Sequence, residues 1–201
     1  MMKHWILICS LAIFSACGGG AKEESSATTI AVPAEVRTVQ VGQATTASVT
    51  NMLTAYYQLK NALVEYDTAA VNKAAAALVI AADSVDVKEV TDSTIAATLQ
   101  NFSGSIASEA KAMVIEPDLG EKKRSFSMIS ENLYPMLQAI QYNETVIYHQ
   151  MCPMAFNDNE TAFWLSDNRE VVNPYLGKKH PKYASGMLHC GEVKDSLAYA
   201  K

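Results

Sequence analysis

A mainly α fold, an antiparallel four-helix bundle with a small irregular or β appendage carrying two cysteines, is what this sequence predicts. Three observations point to it. Apolar residues recur at alternating spacings of three and four along four successive segments. The connections between those segments are short, which favours antiparallel neighbours. After Tyr142 the pattern gives way to short β-prone runs punctuated by Pro, Gly, Asn and Asp.

The first stripe is Val49, Met52, Tyr56, Leu59, Leu63 and Tyr66, which predicts a helix from about Thr46 to Tyr66. Asp67 suits the N-cap of a second, alanine-rich helix through Val71, Ala74, Leu78 and Ala82, because its carboxylate accepts from first-turn amides. Ile95, Leu99, Phe102, Ile106, Ala110 and Met113 form a third stripe that stops at Glu116-Pro117. Asp118 with Glu121 resembles a capping box for a fourth helix through Phe126, Ile129, Leu133, Leu137 and Ile140, which Pro135 should kink. Beyond Tyr142, Val146-Ile147-Tyr148 and Phe163-Trp164-Leu165 suggest a hairpin, with Trp164 and Tyr175 as core anchors.

The amino terminus reads differently from all of this. A basic start, an apolar run from Trp5 to Phe14 and small residues ahead of Cys17 are the parts of a secretory signal. The run is too short for a permanent span, which needs about twenty residues. Ile13-Phe14-Ser15-Ala16-Cys17 resembles the bacterial lipobox, with Phe14 where Leu is usual, so residues 1–16 are expected to be a lipoprotein signal peptide and Cys17 the lipidated residue. Cys9 leaves with the signal. Residues 17–46, rich in Gly, Ala, Ser, Thr and Glu, are expected to be a flexible tether, with only Val36 to Val41 alternating weakly. The bundle then takes 47–142, and 143–201 is the Cys/Met/His appendage packed on it as part of the same domain. The expected location is a bacterial membrane, through the lipid, facing the periplasm or the cell surface.

A formal net charge of −5 without any basic tract argues against nucleic-acid binding. No Gly-rich phosphate loop, Cys-x-x-Cys motif or Ser-centred nucleophile elbow occurs, so an enzyme is not expected.

Several motifs together resemble the family called domain of unknown function 3347. They are Tyr56-Tyr57-Gln58-Leu59-Lys60-Asn61-Ala62-Leu63-Val64, Cys152-Pro153-Met154-Ala155, Trp164-Leu165-Ser166, Asn173-Pro174-Tyr175-Leu176-Gly177 and Met187-Leu188-His189-Cys190-Gly191-Glu192. The resemblance spans about residues 48–194. It implies an envelope protein of the Bacteroidetes type, either a small lipoprotein or the tail of a heavy-metal efflux adaptor, with a link to copper and silver handling. This chain departs from the pattern by inserting Lys179-His180-Pro181-Lys182-Tyr183-Ala184-Ser185 between the Pro-Tyr-Leu-Gly turn and Met187.

Two clusters in the appendage carry the candidate chemistry: His149, Cys152 and Met154, then Met187, His189 and Cys190. Thiolate, thioether and imidazole suit a soft ion, Cu(I) or Ag(I), better than carboxylate and water do. Zinc through His149, Cys152, His189 and Cys190 fits by donor type but not by spacing. The competing reading is that Cys152 and Cys190, in an exported protein, form a stabilising disulfide and the chain has no cofactor; a redox-switchable pair is the third. Either use of both cysteines requires the fold to bring them together, with Cα atoms within about 7 Å for a disulfide. The expected partners are the membrane through Cys17 and either a heavy-metal efflux adaptor or another envelope protein.

Overall fold

The computed structural model describes residues 39–199. The signal peptide, Cys17 and most of the expected tether lie outside the described residues. Four helices, α1 (Gln43–Glu65), α2 (Thr68–Asp83), α3 (Ser93–Ile115) and α4 (Leu119–Ala139), precede three strands, β1 (Ile147–Phe156), β2 (Glu160–Ser166) and β3 (Glu192–Leu197). The chain is mainly α with a small antiparallel sheet at its carboxy-terminal end.

The apolar stripes become the core. Val49, Met52, Tyr56, Leu59 and Leu63 of α1 are fully buried, as are Val71 and Leu78 of α2, Leu99, Ile106, Ala110 and Met113 of α3, and Phe126, Ile129, Leu133 and Leu137 of α4. Each large apolar side chain of this set contributes about 1.5–3 kcal/mol relative to exposure. Ile95 and Phe102 are only partly buried at the margin of the core. Consecutive helices pack on one another, and α4 also packs on β2. Between α1 and α4, Tyr56 stacks on Phe126 at 5.1 Å and its hydroxyl bonds Ser130 Oγ at 2.7 Å.

Local signals set most helix ends. Asp67 Oδ1 accepts from Ala70 N at 3.0 Å and Asp118 Oδ1 from Glu121 N at 3.0 Å. The capping box of α4 is only half formed: Asp118 N donates to Glu116 Oε1, while Glu121 pairs with Arg124. α4 runs on through Pro135. The start of α1 differs from the expected boundary, lying at Gln43 inside the stretch assigned to the tether. Gly42 has no side chain to cap it, so a distant residue does the work: Glu89 Oε2 accepts from Ala44 N at 2.9 Å, and Val41 pairs with Val90. Such a cap has no local signature.

The expected hairpin is β1–β2, closed through Asn157 and Asp158 in left-handed conformation. β3 joins the other edge of β1, giving the order β2-β1-β3. The sheet is fixed to the helices by polar bonds as well as packing. Leu165 N donates to Tyr56 Oη at 2.9 Å, and Lys123 Nζ donates to the carbonyl of Tyr175 at 2.6 Å.

Candidate functional site

Cys152 lies on β1, fully buried, opposite Ala162 of β2. Cys190 lies at the end of the turns that precede β3, and Gly191 controls how close it comes. At Gly191 (φ 138°) a Cβ would stand 2.5 Å from the carbonyl oxygen of Met151 and 3.0 Å from Trp164, so a residue without a side chain is required for this approach. Asn173 sets the other side: its Nδ2 donates to Cys190 O at 2.7 Å, and its Oδ1 accepts from Tyr175 N and Leu176 N. The Asn-Pro-Tyr-Leu-Gly motif thereby ties the turn at 174–177 to the segment that carries Cys190.

The outcome is a contact between thiols. Cys152 Sγ and Cys190 Sγ are 3.0 Å apart, and both cysteines are free. A disulfide needs about 2.05 Å, so closing the bond asks for roughly 1 Å of movement. Two thiolates on a tetrahedral ion with 2.3 Å bonds would stand about 3.8 Å apart, so metal binding asks for movement of similar size in the opposite direction. Burial, then the hydrogen bond and charge of Cys152, push the Cys190 thiol up to about 12. At neutral pH it is protonated and a weak nucleophile until a partner takes its proton.

The other candidate donors are disposed unevenly. Met154 and Met187 are half-buried and packed against the core. His149 is held between rings, stacked on Tyr134 at 4.0 Å and Phe163 at 4.9 Å, and burial lowers its pKa while Asp195 opposes the shift. His189 is exposed, with Nδ1 2.7 Å from Val171 O. Among the described residues no group of three or more His, Cys, Asp or Glu side chains could hold a metal ion. The four-donor zinc set is therefore not assembled, whereas a two-sulfur set for a soft ion is compatible with the pair.

Two residues that the sequence did not single out shape this region. Gln150, fully buried two positions before Cys152, directs Nε2 at the carbonyls of Asn168, Arg169 and Glu170, at 3.0, 3.2 and 3.1 Å. Three carbonyls fix which end of the amide is the donor; among the described residues Oε1 has no partner, and neither has the indole Nε1 of Trp164, the register partner of Gln150 on β2. Asn173 was visible only as part of a motif. A buried Asn ahead of Pro, able to cap the next two amides, was the available signal.

Residues 52–145 match the family model described as "Protein of unknown function (DUF3347)". The match covers the helical region from α1 to the start of the sheet and stops short of both cysteines. No curated protein and no solved structure matches the chain.

Proposed function

We propose, from the premise that the chain belongs to the DUF3347 family through residues 52–145, that it is an exported, lipid-anchored envelope protein without catalytic machinery, whose Cys152 and Cys190 close into a stabilising disulfide. The observation that carries this reading is the 3.0 Å approach of the two sulfurs. Closure removes two protons and two electrons from the thiols, passed by thiol–disulfide exchange to a disulfide-bearing oxidant of the envelope, which leaves as a dithiol. The bond would fasten the loop between β2 and β3 to the central strand, and closing a loop of this length contributes about 4 kcal/mol on the chain-entropy estimate. For the helices, the finer arrangement we propose is an antiparallel bundle, supported by the short connections and the packing of each helix on the next.

A second reading is favoured by one observation. Met154 and Met187, both half-buried, flank the thiol pair in sequence. In the reduced protein Cys152 and Cys190 would be the main ligands of Cu(I) or Ag(I) cargo, with thioether support. A heavy-metal efflux adaptor would be a fitting partner in that case.

One experiment separates the readings: native mass after thiol alkylation, without reductant and then after reduction with and without Cu(I). With alkylation carried out in denaturant, which exposes the buried Cys152, a quantitative disulfide gives no labelling of Cys152 and Cys190 before reduction and two labels after it. Two labels in protein isolated without reductant overturn the staple. Protection of the reduced pair by Cu(I), weakened by Met154→Leu, supports the metal reading. For the anchor, Cys17→Ala should abolish lipid labelling and release the protein into the soluble fraction; unchanged partitioning with membranes overturns that part.

A further inference from the structure

Away from the cysteines, the first turns of α4, the β1–β2 turn and the loop around His180 enclose a cleft of about 250 Å3. Lys123 lines it. The residue is buried, only 6% exposed. Nζ donates to the carbonyl of Tyr175 and sits 3.6 Å from the centre of the Tyr66 ring. Among the described residues no carboxylate forms an ion pair with it, although Lys60, Lys111, Lys178 and Lys182 each have one. A buried ammonium without a counter-ion is costly. Its pKa is accordingly lowered to about 7 by burial, with Asp118 the charge that opposes the shift.

His180 lines the same cleft. Its ring stacks on Tyr183 at 5.1 Å and meets the Tyr66 ring edge-on at 6.1 Å, and its Nδ1 accepts from Lys182 N at 3.2 Å. With Nδ1 an acceptor, the neutral ring carries its proton on Nε2 and keeps that N–H as a donor. Burial and then the charge of Lys123 lower the His180 pKa. The two groups line the same cleft on either side of their shared contact with the Tyr66 ring, and the charge of Lys123 disfavours a second positive charge on His180. The loop that carries His180 is anchored to the hairpin turn, where Lys182 and the Tyr183 hydroxyl both engage Asp158. Arg124, also on the wall, is occupied by Glu160 and Glu121 and lies over the Phe156 ring.

We propose that this cleft binds a small oxyanion, the anionic oxygens of a phosphate or carboxylate group being held between Lys123 and His180. The charge that the fold leaves uncompensated is then matched, and both side chains gain protons on binding. The charged groups bordering the cleft are Asp118, Glu121 and Arg124 on α4, Asp158 and Glu160 on the hairpin, and Lys182 on the loop; each of these except Asp118 already pairs with another of the set. The site is independent of the cysteine chemistry.

The test follows the His180 imidazole by NMR in the full chain, assigned with His180→Gln, across a pH titration with inorganic phosphate, with acetate and with chloride at matched ionic strength. An opposite charge within a few ångströms should raise the His180 pKa by about one unit. A rise with phosphate alone assigns a phosphate group, and a rise with acetate as well assigns any carboxylate-sized oxyanion. No rise with either overturns the proposal, as does an equal rise in Lys123→Met. If Lys123→Met does not fold, phosphate affinity by calorimetry decides instead: His180→Gln should weaken it about tenfold, the loss of one charge-assisted hydrogen bond, and unchanged affinity overturns the proposal.

Discussion

The helical region and the carboxy-terminal region are held together in different ways. From α1 to α4 the core is a continuous set of fully buried apolar side chains contributed by stripes of regular period. From β1 to β3 the sheet is narrow and β3 is largely exposed; Ile147, Trp164, Leu165 and Tyr175 extend the same core, and directed polar bonds hold the turns around them. Gln150 holds three successive carbonyls, Asn173 holds two amides and the Cys190 carbonyl, and Tyr175 Oη donates to Phe163 O. A region held by area tolerates imprecision at any one residue, whereas a region held by directed bonds depends on particular atoms. That dependence is what allows two thiols to be set 3.0 Å apart on segments far separated in sequence.

The contrast can be tested by substitution, beginning where the effect is greatest. Leu59→Ala and Leu133→Ala should each destabilise the protein by about 2–5 kcal/mol in chemical denaturation, since both sites are fully buried. A change below about half a kcal/mol at both would break the assignment of the helix faces. Cys152→Ser should cost about 2–4 kcal/mol relative to the oxidised protein and little relative to the reduced one, if the disulfide forms. Equal losses against both forms would show that the thiol contributes through packing alone. Gln150→Ala leaves three loop carbonyls without their donor and should cost about 1–3 kcal/mol. Hydrogen exchange should locate that loss in the loop after β2, sparing α2 and α3; a uniform loss would erase the distinction between the regions. The smallest effect is Asp67→Ala, which removes one first-turn cap from α2 and should cost about 1 kcal/mol.

The same contrast explains how much was legible in the sequence. Helix stripes were readable because burial follows a period, and the caps at Asp67 and Asp118 because a carboxylate bonds amides within three residues of itself. The cap of α1 was not readable, since Glu89 reaches it from the α2–α3 connection. Nor was β3: Glu192-Val193-Lys194-Asp195-Ser196-Leu197 has too little apolar alternation to announce a strand, and it is one because β1 offers a free edge. Of the candidate site, the two cysteines were evident by residue type, but their approach depends on Gly191 and Asn173, whose roles arise from contacts across the fold. His149 gave no sign that aromatic rings from α4 and β2 would enclose it. The buried lysines were least legible of all. Lys123 occupies a polar-looking helix position and is covered by Tyr66 from the end of α1 and by the turn at Tyr175, which arrives after it in the chain.

The distant cap of α1 also determines how the domain would bear a pull. Tension arriving along the backbone at residue 39 meets first the bond from Val39 N to Gln141 Oε1, then the pairing of Val41 with Val90, then the bond from Gly42 N to Glu89 O and the Glu89 carboxylate on Ala44 N. The last three all rest on the short connection between α2 and α3. A load applied to the amino-terminal end is therefore shared with the middle of the helical region before α1 can unwind from its first turn, and these few bonds act as a strain relief for the helix that carries Tyr56 to the sheet.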